Sequence, residues 1–229
     1  MALNAVQTID DRVRVKTALV SVWDKTGLDL LVPGLIAAIP EIKFLSTGGT
    51  HAAMETILGA SARGRLRQIS DYTGQPEMQG GLVKTLDVRI YLGLLSETYN
   101  EAHRADLARA QAVPIDLVVV NLYPFGSVAS QPGASPETAR ANIDIGGPCM
   151  VRAAAKNFHR VAALTDPADY TPLLSELVAE KGALTLATRW RLAGKAFALT
   201  AAYDAAISAY VAGLQFERVR GAYEVRAGS

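Results

Sequence analysis

Apolar runs alternate with helical patterns along most of the chain. Thr17–Val22 reads as a buried strand, Asp24–Gly27 as a polar loop and Leu28–Ile39 as a helix. Ile42–Leu45 reads as a second short strand, Ser46–Thr50 as a loop and His51–Leu58 as a helix, with Arg67–Ser70 a weaker third strand. Leu117–Asn121 opens on four consecutive apolar residues and is the strongest interior strand, and Val161–Leu164 is another. Asp166 then caps a helix running toward Glu180, with Pro167 in its first turn. From about Thr185 the pattern is wholly helical, and Phe216–Ser229 reads as a frayed tail. This alternation predicts a three-layer α/β/α domain over residues 14–165, with a mainly parallel, doubly wound sheet. A C-terminal helical extension over 166–214 and a tail over 215–229 complete the chain.

Ligands of open parallel sheets sit beyond the carboxyl ends of the strands. The loops at those positions are Ser21–Gly27, Ser46–Thr50, Asn121–Phe125, Asp144–Gly147 and, less securely placed, Gly80–Leu86. Ser46-Thr47-Gly48-Gly49-Thr50 combines hydroxyls with close backbone approach at a helix start, the chemistry of a phosphate cradle. It is neither a Walker loop nor a dinucleotide fingerprint, because the Gly-Lys-Ser/Thr and G-x-G-x-x-G spacings are absent. Asn142–Pro148 sets a carboxylate and a two-glycine turn at the start of a helix, with Pro148 at its first position and Lys156 further along. A helix N-terminus suits an anion or a developing oxyanion. Each of these loops taken singly also fits an ordinary turn.

Composition narrows the field. The 229 residues are 50% hydrophobic and 20% charged, which excludes a disordered chain. A net charge of +1 gives no bulk case for nucleic acid or an anionic membrane, whereas a phosphorylated small molecule needs only a local basic site. Cys149 is the sole cysteine, so no internal disulfide forms and a reducing compartment is the simplest inference. It reads as packing near a helix start. The opening residues carry Asp10, Asp11, Arg12 and Arg14 without the apolar core of a signal peptide. Of the most apolar helical stretches, Leu28–Ile39 is interrupted by Pro33 and Leu192–Leu214 carries Lys195 and Asp204, so neither is expected to span a membrane. A cytoplasmic protein is expected. His51, His103 and His159 read as surface or capping residues rather than a triad or ligand set, and no Cys/His metal cluster is visible.

Taken together, the loops carry more than they do singly. Ser21–Gly27, Leu45–Thr50, Ser70–Gly74 with Pro76–Met78, Val83–Leu86, Asn121–Phe125, Asn142–Pro148 and Ala153–Asn157 occur in this order. So arranged, the chain resembles the IMP cyclohydrolase domain of the bifunctional purine-biosynthesis enzyme, over about residues 15–212. Lys195-Ala196-Phe197 and Ala202-Tyr203-Asp204 extend the likeness into the late helix. The resemblance implies a methylglyoxal-synthase-like fold, a homodimer, a purine-nucleotide substrate and no metal or organic cofactor. It also implies a ring closure, in which the carboxamide nitrogen of a formylated aminoimidazole ribonucleotide attacks its own formyl carbon and water leaves. Such chemistry needs register, proton movement and a stabilised oxyanion.

Site residues follow from the same resemblance, around one imidazole nucleotide. Lys84 would stabilise charge near the formyl group, Tyr123 would hydrogen-bond the reacting centre, and Asp144 would orient the carboxamide or help remove its proton. Lys156 would donate or accept a proton. Ser21, Lys25, Ser46, Thr47, Gly48, Gly49, Thr50, Thr85, Asn121 and Leu122 would contact the nucleotide, and the backbone at Ile145 and Gly146 would meet the oxyanion. Some positions depart from the family pattern. Trp23 stands where serine is usual, Leu82 where arginine is usual, Asp87, Val88 and Tyr91 where histidines and a proline are usual, and Leu199 where histidine is usual. Losing the arginine removes a forked anion ligand, and Arg89, seven residues on, is the candidate replacement. Two rivals on the same architecture are a nucleotide-binding regulatory module without turnover and a phosphate-eliminating lyase. The lyase is disfavoured because its aspartate/histidine loop has no counterpart here.

Overall fold

A computed structural model describes residues 5–75, 85–97 and 99–226. A five-stranded parallel sheet, ordered β4-β3-β2-β5-β6, is built from β2 (Thr17–Val22), β3 (Lys43–Ser46), β4 (Leu66–Gln68), β5 (Leu117–Asn121) and β6 (Ala162–Leu164). Leu19 of β2 faces Leu45 on one side and Val118 on the other. Alternate residues of each strand enter two separate cores. Ala18, Val20, Val22, Leu117, Val119, Ala162 and Leu164 join the helices α1 (Leu28–Ala38), α2 (Gly48–Leu58) and α9 (Tyr170–Ala179). Leu19, Leu45, Val118, Val120 and Ala163 join α4 (Val88–Leu95), α8 (Gly146–Lys156) and α10 (Leu186–Gly213) on the other face. Burial on both faces is why β2 and β5 read as continuous apolar runs. The three-layer α/β/α architecture expected from the alternation is the one observed.

Local boundaries differ from the pattern for identifiable reasons. Residues 46–50 were expected as a loop, but α2 already starts at Gly48 with Thr47 as its cap. Likewise α8 starts at Gly146, so Pro148 sits third in the helix, still within the first turn where no amide partner is needed. Pro33 does not interrupt α1. It lies on the exposed side while Leu28, Leu31, Val32 and Leu35 fill the core. The weak strand expected at Arg67–Ser70 is β4, three residues long, and Ile69 already opens the short helix α3 (Ile69–Thr73). Asp166 accepts from the Ala168 amide at 2.9 Å as expected, although a 3₁₀ turn over Pro167–Asp169 precedes α9. The tail contains a short helix, α11 (Phe216–Arg220).

A second ladder was not expected. β1 (Arg12–Arg14) pairs antiparallel with β7 (Ala183–Thr185). Arg189, 1% exposed, locks this strand in place by donating to the carbonyls of Asp10, Asp11, Phe158, His159 and Leu184. The first half of α10 therefore belongs to the core, where Leu192, Ala193 and Ala196 are buried. Its second half is exposed, and at 28 residues the helix is long and apolar enough to cross a bilayer by length and composition. Core helices of globular domains meet the same test, and Arg189 and the packing on β6 and α8 give this helix a place in the domain.

Candidate active site at the carboxyl edge of the sheet

A cavity of about 250 Å³ opens at the carboxyl ends of β2, β3 and β5. It is lined by Ser21, Lys25, Thr47, Gly49, Thr50, Thr85, Asn121, Tyr123, Asp144 and Gly146, all expected from the sequence. Val22, Trp23, Leu86, Gly147 and Met150 complete the wall. Two helix N-termini, those of α2 and α8, meet here, and their partial positive charges favour an anionic ligand.

Several of the polar side chains brace the site rather than leave their groups for a ligand. The Thr50 hydroxyl donates to the Val22 carbonyl at 2.9 Å and accepts from the Val22 amide at 3.1 Å, tying α2 to the end of β2. Asn121 Oδ1 accepts from the amides of Trp23 (2.7 Å) and Asp24 (3.0 Å), and its Nδ2 donates to the Asp24 carbonyl at 2.7 Å. Ser21 and Thr47 share a hydroxyl–hydroxyl bond of 2.8 Å and keep lone pairs to spare. Lys25 Nζ donates to the carbonyls of Trp23 (2.9 Å) and Val22 (3.4 Å), neutral partners that leave its charge available to an anion.

Asp144 is held from several sides. Its backbone N–H donates to the Tyr203 hydroxyl at 2.8 Å, and its carboxylate accepts from the Gly147 amide at 2.9 Å and from the Tyr123 amide. Burial pushes the carboxyl above the ordinary aspartate range, and the two amide donors pull less strongly the other way. The glycines of this turn leave room for the side chains packed against them. A Cβ at Gly146 would sit 2.5 Å from Thr85 Oγ1, and one at Gly147 would strike the Asp144 carboxylate and lie 2.8 Å from a Leu122 methyl. Tyr123 is 43% exposed at the rim.

Other expected residues lie elsewhere. Ser46 is fully buried and donates to the Val20 carbonyl at 2.8 Å, so it is a strand brace. Gly48 and Leu122 do not line the cavity, and Leu122 packs on the second core. Ile145 is the 56%-exposed cap of α8, outside the wall. Lys84, together with Leu82 and Pro76–Met78, lies outside the described residues. Lys156 ends α8, ten residues beyond Gly146. At 1.5 Å per residue that is about 15 Å along the axis, and its exposed side chain does not reach the cavity. The expectation of one pocket holding Lys156 with Tyr123 and Asp144 is not met within a single chain, because Lys156 stands at the far end of α8 from the cavity. Arg89 does not enter the cavity either; its guanidinium donates to the Tyr72 carbonyl at 2.8 Å.

Nor do the histidines converge. His51 faces Glu55 at 3.5 Å, His103 accepts from the Glu97 amide at 3.2 Å, and His159 packs edge-on to Phe158. Lys195 bridges Asp166 (2.8 Å) and Asp169, so this part of the late-helix likeness fastens α10 to the start of α9. Tyr203, from the same late-helix likeness, reaches the Asp144 loop instead. Nothing in its local pattern indicates the Asp144 contact, which only the return of α10 across α8 creates.

Comparisons with known proteins bear on the fold and the family. The MGS-like domain model matches residues 35–149, half of the chain, and the AICARFT/IMPCHase bienzyme model matches residues 154–227. The bifunctional purine biosynthesis protein PurH of Synechococcus sp. (strain WH7803) is 49% identical over 195 residues, 85% of this chain and 36% of that protein. PurH of Bradyrhizobium diazoefficiens is 50% identical over 196 residues, 85% of this chain and 35% of that protein. The chain thus spans about a third of the length of these curated relatives. The crystal structure of ForH superposes with a TM-score of 0.72 at 33% identity, covering 86% of this chain and 99% of that one. From the sheet edge to the late helix, the chain belongs to the MGS-like, AICARFT/IMPCHase bienzyme family.

Proposed function

We propose that the chain is an IMP cyclohydrolase, closing 5-formamidoimidazole-4-carboxamide ribonucleotide to IMP with loss of water. The observation that carries this reading is the meeting of Tyr123, Asp144 and Thr85 with the α2 cradle and Lys25 in one cavity. The cradle and Lys25 take the phosphate, while Asp144, aimed by the Gly147 and Tyr123 amides, engages the carboxamide. The Tyr123 hydroxyl and the α8 N-terminus serve the developing oxyanion. Lys84 completes the set of charges by the resemblance alone. A cytoplasmic homodimer belongs to the same reading, supported by exposed apolar residues on and beyond α10, namely Phe197, Val211 and Phe216.

The test is to supply the formylated ribonucleotide to the purified protein and follow IMP absorbance, with Asp144→Ala as control. Turnover in the parent and loss in the variant are expected. A buffer-level rate in both overturns the assignment. The second reading, a nucleotide-binding module without turnover, is favoured by the distance of Lys156 from the cavity, and tight IMP binding with no turnover would establish it.

A further inference from the structure

Trp23 has no place in the chemistry so far. A residue that merely packed would be buried, and Trp23 is 52% exposed although it lines the cavity. One that crowded the loop would break the contacts around it, and these are intact. Its amide donates to Asn121 Oδ1 at 2.7 Å and its carbonyl accepts from Lys25 Nζ at 2.9 Å. The backbone is pinned on both sides while the indole stays open.

Topology says what passes over it. β2, whose last residue precedes Trp23, lies between β3 and β5. The Thr47–Thr50 cradle follows β3, and Tyr123 follows β5. Two inter-strand steps separate those ends, about 10 Å, so a ligand reaching from cradle to Tyr123 must cross the end of β2. Tyr123 at 43% and Leu86 at 41% exposure add apolar surface to the same rim.

We propose that the Trp23 indole is a stacking face for the planar heteroaromatic ring of the bound nucleotide, making it a specificity-determining residue for base-bearing ligands over the bare sugar phosphate. This rests on the reading of the cavity as a nucleotide site. Every base offers a π-face, and an indole is the largest partner for one. Because the backbone is already fixed, little ordering opposes the contact on binding.

Trp190 packs edge-on to Phe158 at 4.8 Å and is not part of the cavity wall. The chain has two tryptophans, so Trp190→Phe leaves Trp23 as the single reporter. IMP, ribose 5-phosphate and inorganic phosphate are titrated against it by fluorescence, with calorimetry in parallel. IMP is expected to quench the emission and ribose 5-phosphate to leave it unchanged. Trp23→Ser should lower IMP affinity about tenfold without changing that for ribose 5-phosphate, and Trp23→Phe should restore most of the loss. IMP binding with unchanged emission, or an equal loss for both ligands in Trp23→Ser, overturns the stacking role while leaving the nucleotide site standing. No IMP binding in the parent overturns both.

Discussion

The Tyr203 hydroxyl accepts the Asp144 amide proton at 2.8 Å and donates to the Asn142 carbonyl at 3.2 Å, so α10 clasps the loop that presents the Asp144 carboxylate. The ring itself rests edge-on against Phe125, 6.3 Å between centroids. Tyr203→Phe keeps that packing and removes only the two hydrogen bonds. A stability loss of about 1–2 kcal/mol is expected from the stranded amide and carbonyl. The loop then loses its aim, and kcat should fall about tenfold with KM little changed, since the phosphate cradle is untouched. Steady-state kinetics beside a thermal melt separates the two effects. A proportional loss in both kcat and KM terms would assign Tyr203 to packing alone.

Burial raises the Asp144 carboxyl, and this fixes the sign of two pH effects. If the ionised form takes or orients the carboxamide proton, activity falls as pH drops through a value above the ordinary aspartate range of about 4. Asp144→Asn should flatten that acid limb and lower kcat by about 10²–10⁴. Stability runs the other way. A carboxyl whose folded pKa is raised contributes stability below its unfolded pKa, and that contribution is lost as pH rises through the folded pKa. At neutral pH the ionised carboxyl therefore works against the fold, and Asp144→Asn should melt no lower than the parent while being inactive. Melts at pH 4 and pH 7 check this. A large destabilisation of the variant at pH 7 would contradict the direction of the shift.

The sheet and its two cores were legible because burial on both faces leaves unbroken apolar runs such as Leu117–Val120. β1 was not, since Arg12-Val13-Arg14 shows no such run and is held by its pairing with Ala183–Thr185 and by Arg189 from 175 positions beyond Arg14. In the site, polar residue types marked the right loops. What a sequence cannot display is which polar groups are already satisfied. Thr50, Asn121 and Ser46 look like ligand donors, and each spends its hydrogen bonds on neighbouring backbone. The likeness extended to Lys156 by motif, whereas helix geometry sets it far along α8 from Asp144.

Gly147 tests how tightly the turn is built. A methyl group there collides with the Asp144 carboxylate, which is held by the Gly147 amide, and crowds Leu122, so both side chains must shift to admit it. Gly147→Ala should cost about 1–3 kcal/mol of stability, the usual range for overpacking. It should reduce turnover more than nucleotide affinity, because the α2 cradle lies on the other side of β2. Calorimetric IMP affinity and kcat measured on the same sample decide it. An equal fall in both would mean that the turn also carries the phosphate.

The buried pair Arg160–Asp116 makes the opposite prediction, stability without specificity. Arg160 Nη1 donates to Asp116 Oδ1 at 2.7 Å and to the Ile115 carbonyl at 3.0 Å, while Nε reaches the Ser96 carbonyl at 3.0 Å. Asp116 Oδ2 accepts the amides of Lys16 (2.9 Å) and Thr17 (3.0 Å), at the amino ends of the strands and away from the cavity. Arg160→Leu removes the cation and leaves a buried carboxylate without its counter-charge and the Ile115 carbonyl without the guanidinium donor, a change worth about 3–5 kcal/mol. For a chain of this size each kcal/mol moves the melting temperature by about 2–4 °C, so a drop of about 6–20 °C is expected. Asp116→Asn should destabilise as well, because its Nδ2 would face either the Arg160 guanidinium or the Lys16 and Thr17 amides donor to donor, and the buried Arg160 cation would lose its counter-charge. Below its melting temperature the Arg160→Leu protein should bind IMP as the parent does, since no cavity residue contacts the pair. A variant that melts normally but loses IMP affinity would mean that the amino and carboxyl edges of the sheet are coupled.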